Sequence, residues 1–264
     1  MGKGLEVITG FATAPGATLT ALTMSQSDSL QVRNTNLDNP IRLLDIWTKN
    51  QANGNISIHS PNMHDNVLGI NLLALTADGQ NKLWRGAPQP LIPQDQLIAQ
   101  ISGSAVVGEI EIGNLLIYYE DLPGIAARLI DPDELATRIE DLIGVSNVIT
   151  PTVAGEHSGT QAINAVNDLF EANRDYAILG YIVDTLSGNI CYRGSDSGNL
   201  RVGGPADPTI PFITKDWFVK LSRDFKKPLI PVWNAANKNS LFVDTVQDQA
   251  LTAVNVTTIM ALLK

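Results

Sequence analysis

Three histidines and one cysteine are the residues best suited to metal or nucleophile chemistry, and their spacing decides what is open to them. His59 and His64 stand five apart with Pro61 between them, and the positions 134 residues further on are Arg193 and Gly198. A metal held inside a β-barrel by a His-x-His pair needs two imidazoles on one strand face, which this spacing does not supply. His59 therefore reads as a strand-end residue, His64 as a loop residue, and His157 has no histidine partner. A nucleophile triad is not indicated either: no Gly-x-Ser-x-Gly elbow occurs, and Cys191 lies within a β-like run, where a small buried hydrophobe is the ordinary role. Asp131, Asp133 and Asp141 have the look of calcium ligands but lack the glycine of a calcium loop, so capping and solvation account for them. Gly194-Ser195-Asp196-Ser197-Gly198 lacks the lysine of a phosphate loop and reads as a turn. Asn55-Ile56-Ser57 and Asn255-Val256-Thr257 match the glycosylation pattern, which carries no weight without a secretion signal. No catalytic, cofactor-binding or metal-ligating residue is assigned, and the expectation is a non-enzyme without a cofactor. Trp47, Trp84, Trp217, Trp233 and the pair Tyr118/Tyr119 are either core and interface residues or sugar-stacking platforms.

The elements that carry these residues fall into two similar halves. Leu43-Leu44-Asp45-Ile46-Trp47-Thr48 leads to Asn53-Gly54-Asn55-Ile56-Ser57-Ile58-His59, a polar loop and Val67-Leu68-Gly69. Ile178-Leu179-Gly180-Tyr181-Ile182-Val183 leads in the same way to Ser187-Gly188-Asn189-Ile190-Cys191-Tyr192-Arg193, a polar loop and Arg201-Val202-Gly203. The offset is about 134 positions, with a one-residue slip upstream, and each copy reads as strand, tight Gly-Asn turn, strand. Pro90-Leu91-Ile92-Pro93 then recurs as Pro228-Leu229-Ile230-Pro231, and each half closes on a long strand, Glu109–Tyr119 or Leu251–Leu263. Four matches in one order point to duplication.

Within each half, short β-branched or apolar runs alternate with Gly, Pro, Asn and Asp clusters, the pattern of an all-β sandwich or jelly roll. The predicted strands of the first half are Ala17–Met24, Ser29–Arg33, Ile41–Thr48, Asn55–His59, Val67–Leu75, Gln96–Ile101 and Glu109–Tyr119. Those of the second are Gln161–Phe170, Tyr176–Asp184, Asn189–Arg193, Leu200–Val202, Leu229–Trp233, Leu241–Val246 and Leu251–Leu263. Helices are few. Pro132–Ile143 has Asp131 as cap, Glu134 completing a capping box, Gly144 as terminator and Leu135, Ile139, Leu142 and Ile143 in one stripe; Lys215–Phe225 aligns Trp217, Phe218, Leu221 and Phe225. The expected organisation is a first barrel over 1–122 with a short N-terminal arm, a helical connector over 123–149, and a second barrel over 150–264.

With 264 residues, 44% hydrophobic and 17% charged, the chain has the composition of a folded globular protein. Its net charge of −9 argues against a broad grip on nucleic acid, which needs clustered positive charge. One cysteine excludes an internal disulfide, so folding in the cytoplasm is expected. Met1-Gly2-Lys3-Gly4-Leu5-Glu6 signals neither export nor acylation, and no run reaches the ~18 apolar residues that span a bilayer.

Two tandem jelly-roll-like halves, a helix inserted late in one barrel, a helical connector and no catalytic constellation together resemble the double jelly-roll major capsid proteins of tailless icosahedral viruses, especially membrane-containing bacteriophages. The resemblance covers residues 14 to 264 and rests on architecture, since no short motif is shared; the first half departs from it in having no clear inserted helix. It implies two jelly-roll β-barrels side by side with a few short helices, and a homotrimer of pseudo-hexagonal outline that tiles a capsid lattice in the virion after synthesis in the host cytoplasm. Vertex or minor capsid proteins, and an internal membrane on the inner face, are the further partners it implies; specific nucleic-acid binding is not among them. The arm Met1–Thr13 and Lys264 are then candidates for contacts between subunits. The alternative is a two-sandwich carbohydrate-binding or adhesion module.

Overall fold

A computed structural model describes residues 2–26, 28–35, 40–76, 88–125, 127–159, 161–163, 170–237 and 240–264. In the first half the strands are β1 (Gly4–Thr13), β2 (Thr20–Ala21), β3 (Thr23–Met24), β4 (Ile41–Lys49), β5 (Gly54–His59), β6 (Ile70–Ala74), β7 (Gln89–Leu91), β8 (Ile98–Ile101) and β9 (Ile110–Tyr119). There follow β10 (Leu129–Ile130), helix α1 (Pro132–Arg138), β11 (Ile139–Ile149), β12 (Gln161–Ala162), β13 (Asp175–Val183), β14 (Ser187–Arg193) and β15 (Val202–Ala206). Helices α2 (Pro211–Thr214) and α3 (Trp217–Phe225) precede β16 (Ile230–Asn234), β17 (Phe242–Val246) and β18 (Val254–Leu263). The chain is mostly β, and among the described residues no helix is long and apolar enough to cross a membrane.

Four antiparallel sheets result, in the orders β3-β1-β9-β4-β7, β2-β8-β5-β6, β11-β18-β13-β16-β10 and β12-β17-β14-β15. Setting aside the two-residue strands β3 and β10, the halves correspond strand for strand: β1-β9-β4-β7 with β11-β18-β13-β16, and β2-β8-β5-β6 with β12-β17-β14-β15. Register repeats as well. β4 runs along β9 and slips once between Leu43 and Asp45, leaving Leu44 as a bulge; β13 runs along β18 and slips between Ile178 and Gly180, at Leu179. These are matching positions of the sequence repeat, 135 residues apart; the one-residue change in its offset comes later, between β4 and β5 and between β13 and β14. The closing strands β9 and β18 are both central in their sheets.

The sheets stack in four layers. Ile8, Ile46, Leu115 and Ile117 face Ile56, Ile58, Ala99 and Ile101 inside the first sandwich. The opposite face of the same five-stranded sheet, with Leu5, Val7, Leu44, Trp47, Leu116 and Tyr118, joins the core of the second half. There β1, β4 and β9 touch β14 and β15 of the second half's four-stranded sheet. The second five-stranded sheet closes the stack, and α3 packs on its strands β13 and β16.

Several expectations need correction. The N-terminal arm is the strand β1, which pairs with β9 along all ten residues. It sits between two packed layers, so Leu5 and Val7 are buried on one side and Ile8 and Ala12 on the other, and the alternation that marks a half-exposed strand is missing. The helix predicted over Pro132–Ile143 ends at Arg138, although Asp131 caps it as expected, accepting from Glu134 N at 2.8 Å. Ile139 turns to extended backbone, and Ile139–Ile149 is the edge strand β11, paired with β18; the connector expected over 123–149 is helical only in its middle. Val145 and Ile149 on one face and Ser146 and Val148 on the other give that segment a strand period, which outweighs the capping signal upstream. Ser29–Arg33 forms only an isolated bridge, Gln31 to Gln96. The strand predicted over Ala17–Met24 splits into β2 and β3, and the one over Leu200–Val202 starts at Val202. Trp84 and positions 164–169 of the strand predicted from Gln161 lie outside the described residues.

Candidate functional site: a buried polar seam and two open sheet faces

The contact between the halves is polar at its centre. Thr9 on β1 and Asn114 on β9 are directly paired across the sheet, and the Thr9 hydroxyl donates to Asn114 Oδ1 at 2.9 Å. Asn189, the third residue of β14, reaches across from the second half and donates through Nδ2 to Thr9 Oγ1 (2.8 Å) and Asn114 Oδ1 (3.0 Å). The neighbouring Gly188 carbonyl accepts from Trp47 Nε1 at 2.8 Å and from Asn114 Nδ2 at 3.0 Å. All four side chains are buried, so each bond answers a desolvation cost, and the set fixes one register of half on half.

Two charged clamps flank this centre. Lys49 Nζ, on β4, donates to Asp248 Oδ1 (2.5 Å), Gln247 Oε1 (2.6 Å) and the Leu186 carbonyl (3.0 Å), all in the second half. Burial pushes the Lys49 ammonium down from its ordinary range, while Asp248 pulls it back up. On the other flank Asp28 of the first half accepts from Arg201 Nη1 at 3.0 Å, faces His157 Nε2 at 3.1 Å, and accepts the Thr9 backbone N–H at 2.7 Å. Arg201 Nε also reaches Asp244 Oδ2 at 3.4 Å. The buried cations are thus matched by carboxylates across the seam, an arrangement suited to holding two bodies together.

The residues singled out from the sequence are dispersed. His59 ends β5, with Nδ1 buried and without a hydrogen-bond partner among the described residues; His64 is exposed in the following loop; His157 is in the Asp28 clamp. Cys191 is fully buried in β14, where desolvation pushes its thiol well above the ordinary range and so suppresses the thiolate. Asp131 is the α1 cap, while Asp133 lies in the first turn of that helix and Asp141 lies on β11. Gly194–Gly198 contains a single 3-10 turn ending in left-handed Gly198. Among the described residues no three His, Cys, Asp or Glu side chains gather as a metal site. Trp47, Trp217, Trp233, Tyr118 and Tyr119 are each at most 1% exposed, which leaves none of them a stacking platform; Trp47 and Trp217 meet edge to face with ring centres 6.4 Å apart. A groove of about 490 Å³ beside β1 contains Glu6 and Arg33, but Arg33 Nε donates to Glu6 Oε2 at 2.8 Å, so its charges answer each other.

The outer layers of the stack differ from the seam in being open. On the second five-stranded sheet Leu142 (57% exposed), Val148 (56%) and Ile182 (39%) lie uncovered, and on the first four-stranded sheet Leu73 (65%) and Ile98 (39%) do the same. Their alternation with the buried Val145, Ile149 and Val183, and with Ala74 and Ala99, places each set on a solvent-facing side.

No protein-family model and no curated protein matches the chain. Among solved structures, the crystal structure of the PBSX exported protein XepA is similar over 97% of this chain and 86% of that one, at 9% identity and a TM-score of 0.27, a likeness too loose to bear on fold or function.

Proposed function

We propose that the chain is a structural subunit of a virus shell, a double jelly-roll capsid protein that self-assembles as trimers of pseudo-hexagonal outline. The observation that carries this reading is the strand order. Numbering the eight main strands of each half along the chain, one sheet runs first-eighth-third-sixth and the other second-seventh-fourth-fifth, in both halves. That interleaving is what wrapping a long hairpin into a jelly roll produces. Two such units in series let a threefold trimer offer six similar blocks to a lattice. The buried seam supports a structural rather than a catalytic role, since its cations and carboxylates are paired with each other. In this reading the chain works in the virion, with its own copies, minor or vertex proteins and an inner membrane as partners.

Sedimentation of the purified chain from nanomolar to micromolar concentration, followed by negative-stain imaging, tests the proposal. A trimer that persists on dilution and forms sheets or shells on concentration is the expected result. A monomer throughout, or retention on a glycan column by a monomer, overturns it; the latter favours an adhesion module.

A further inference from the structure

We infer that the open face of β11, β18 and β13 is a docking site for the outer face of β5, β6 and β8 of a second copy of this chain, so that the sheet-on-sheet contact joining the halves within one molecule is repeated between molecules. This rests on the self-assembly proposed above and gives it a surface.

The strand correspondence makes the comparison residue by residue. Matching the register of β1 and β9 to that of β11 and β18 sets Leu5 against Leu142, Thr9 against Ser146, Asn114 against Thr257 and Leu116 against Ile259. Matching β4 to β13 through their bulges sets Trp47 against Ile182. Each first-half member of these pairs is buried in the seam; of their counterparts, Leu142, Ser146 and Ile182 are exposed, and Thr257 and Ile259 are half-buried. The uncovered apolar residues of the second half therefore stand at the positions that the first half uses to hold a neighbouring sheet. The polar centre is reproduced too. Ser146 and Thr257 are paired across the strands and their hydroxyls hydrogen-bond at 2.9 Å, as Thr9 and Asn114 do.

The complementary surface lies on the opposite outer layer of the same chain. The register of β5 with β8 matches that of β14 with β17, which puts Asn55, following Gly54, in the place of Asn189, following Gly188; β6 and β15 match from Ile56 and Ile190 onward, while β14 alone carries a bulge against β15 between Ser187 and Ile190. By the same matching Leu73 occupies the place of Pro205 and Ile98 that of Phe242. Two outermost layers of one stack cannot meet within a molecule, so the matching face must come from another copy. Its Asn55 amide is then set to donate to the Ser146–Thr257 pair as Asn189 donates to Thr9 and Asn114. The contact is heterologous, one face meeting a different face, and it closes into a ring when the rotation between successive units allows. Its charge pattern is simpler than that of the seam: Asp184 stands in the place of Lys49 and bonds to Asn255 in its own sheet, and Gly69 stands in the place of Arg201. The intermolecular version thus forms without burying a cation and avoids that desolvation cost.

Two single-cysteine variants, Asn55→Cys and Thr257→Cys, test the pairing; the native Cys191 is fully buried and does not compete. Mixed at micromolar concentration under mild oxidation, they are expected to give a disulfide-linked dimer on a non-reducing gel, while neither gives one alone. Ile182→Asp is expected to weaken association at least tenfold in sedimentation with the thermal midpoint unchanged. If the wild-type chain assembles but the mixture does not link and Ile182→Asp associates normally, the interface lies elsewhere: this inference falls and the self-assembly reading stands. Linkage in Asn55→Cys alone points to a like-on-like contact and also overturns it. A wild-type chain that stays monomeric removes both.

Discussion

Replacing Lys49 by Met keeps the unbranched apolar stem of the side chain and removes its charged end. In the folded chain the ammonium is the cation facing Asp248, and both side chains are under 10% exposed. The substitution strands a buried carboxylate whose other partner is Gln51, and it leaves Gln247 Oε1 and the Leu186 carbonyl without this donor. Breaking a buried ion pair from one side costs about 3–5 kcal/mol, a large part of the roughly 5–15 kcal/mol that holds a typical folded protein together. Most of that cost is the unpaired anion, so Asp248→Asn in the Lys49→Met background should recover about 1–2 kcal/mol, whereas Asp248→Asn alone should destabilise. Urea unfolding followed by tryptophan fluorescence is the natural assay, because Trp47 lies two residues away on β4 and bonds the Gly188 carbonyl across the seam. Equal losses in Lys49→Met and in the double variant, or a loss in Lys49→Met below about 1 kcal/mol, would refute the view that the seam is held by matched buried charge.

Asp175 is held at a pKa of about 2, chiefly by the Arg128 guanidinium and further by Asn234. Its folded value lies below the ordinary ~3.9 of the unfolded chain, so its stabilising contribution is complete above that value and is lost as pH falls from about 4 towards 2; urea midpoints measured down that range should fall more steeply in the wild type than in Asp175→Asn. Val254→Asp, at a fully buried position, should cost about 3 kcal/mol or more, while Ile259→Asp, on the open face of the same strand, should cost far less and act on self-association; equal thermal midpoints for the two would reject the face assignment. Gly180→Ala should destabilise, because a Cβ there falls 2.2 Å from the Thr214 carbonyl oxygen and pushes the α2–α3 segment off β13; an unchanged melting curve would show that the helices are not seated there.

What the sequence disclosed was whatever repeats or alternates locally. The long closing strands and the α1 cap were legible because period-2 alternation and capping each act over a few residues, and the repeat was legible as repetition. Gly54-Asn55 and Gly188-Asn189, however, are not the tight turns expected but the openings of β5 and β14, and the strands before them, β4 and β13, lie in the other sheet of each half, so the chain crosses between sheets there and forms no hairpin. β1 was not legible, since a strand buried on both faces loses its alternation, and β11 was hidden behind a true N-cap at Asp131 whose helix stops sooner than the apolar stripe suggests; the reciprocal half of the expected capping box does not form, because the Glu134 carboxylate pairs with Arg138. The seam was out of reach for another reason. Thr9, Asn114 and Asn189 are 105 and 75 residues apart and make no local pattern. The one available hint was polar residues at odds with their surroundings, Asn114 in the apolar run of β9 and Lys49 at the end of β4.

The layered stack also has a consequence in time. The first sandwich has all its strands once Tyr119 has left the ribosome, but the face bearing Leu5, Val7, Leu116 and Tyr118 is covered by segments of the second half, β14 and β15 with Trp217 and Lys227, and Val246 at the end of β17 packs on Ile110 and Ile112 beside it. At typical synthesis rates the interval from Tyr119 to Val246 is roughly 6–25 s, long compared with the folding of a small domain. For that period the nascent chain presents a large apolar sheet surface with Lys49 still unmatched by Asp248. In a crowded polysome the nearest surface able to cover it is the finished second half of a neighbouring chain, so swapped pairs are the misassembly to which this order of synthesis is most exposed. A chaperone that binds extended apolar faces would be most useful to this protein between those two moments, and idle for it afterwards.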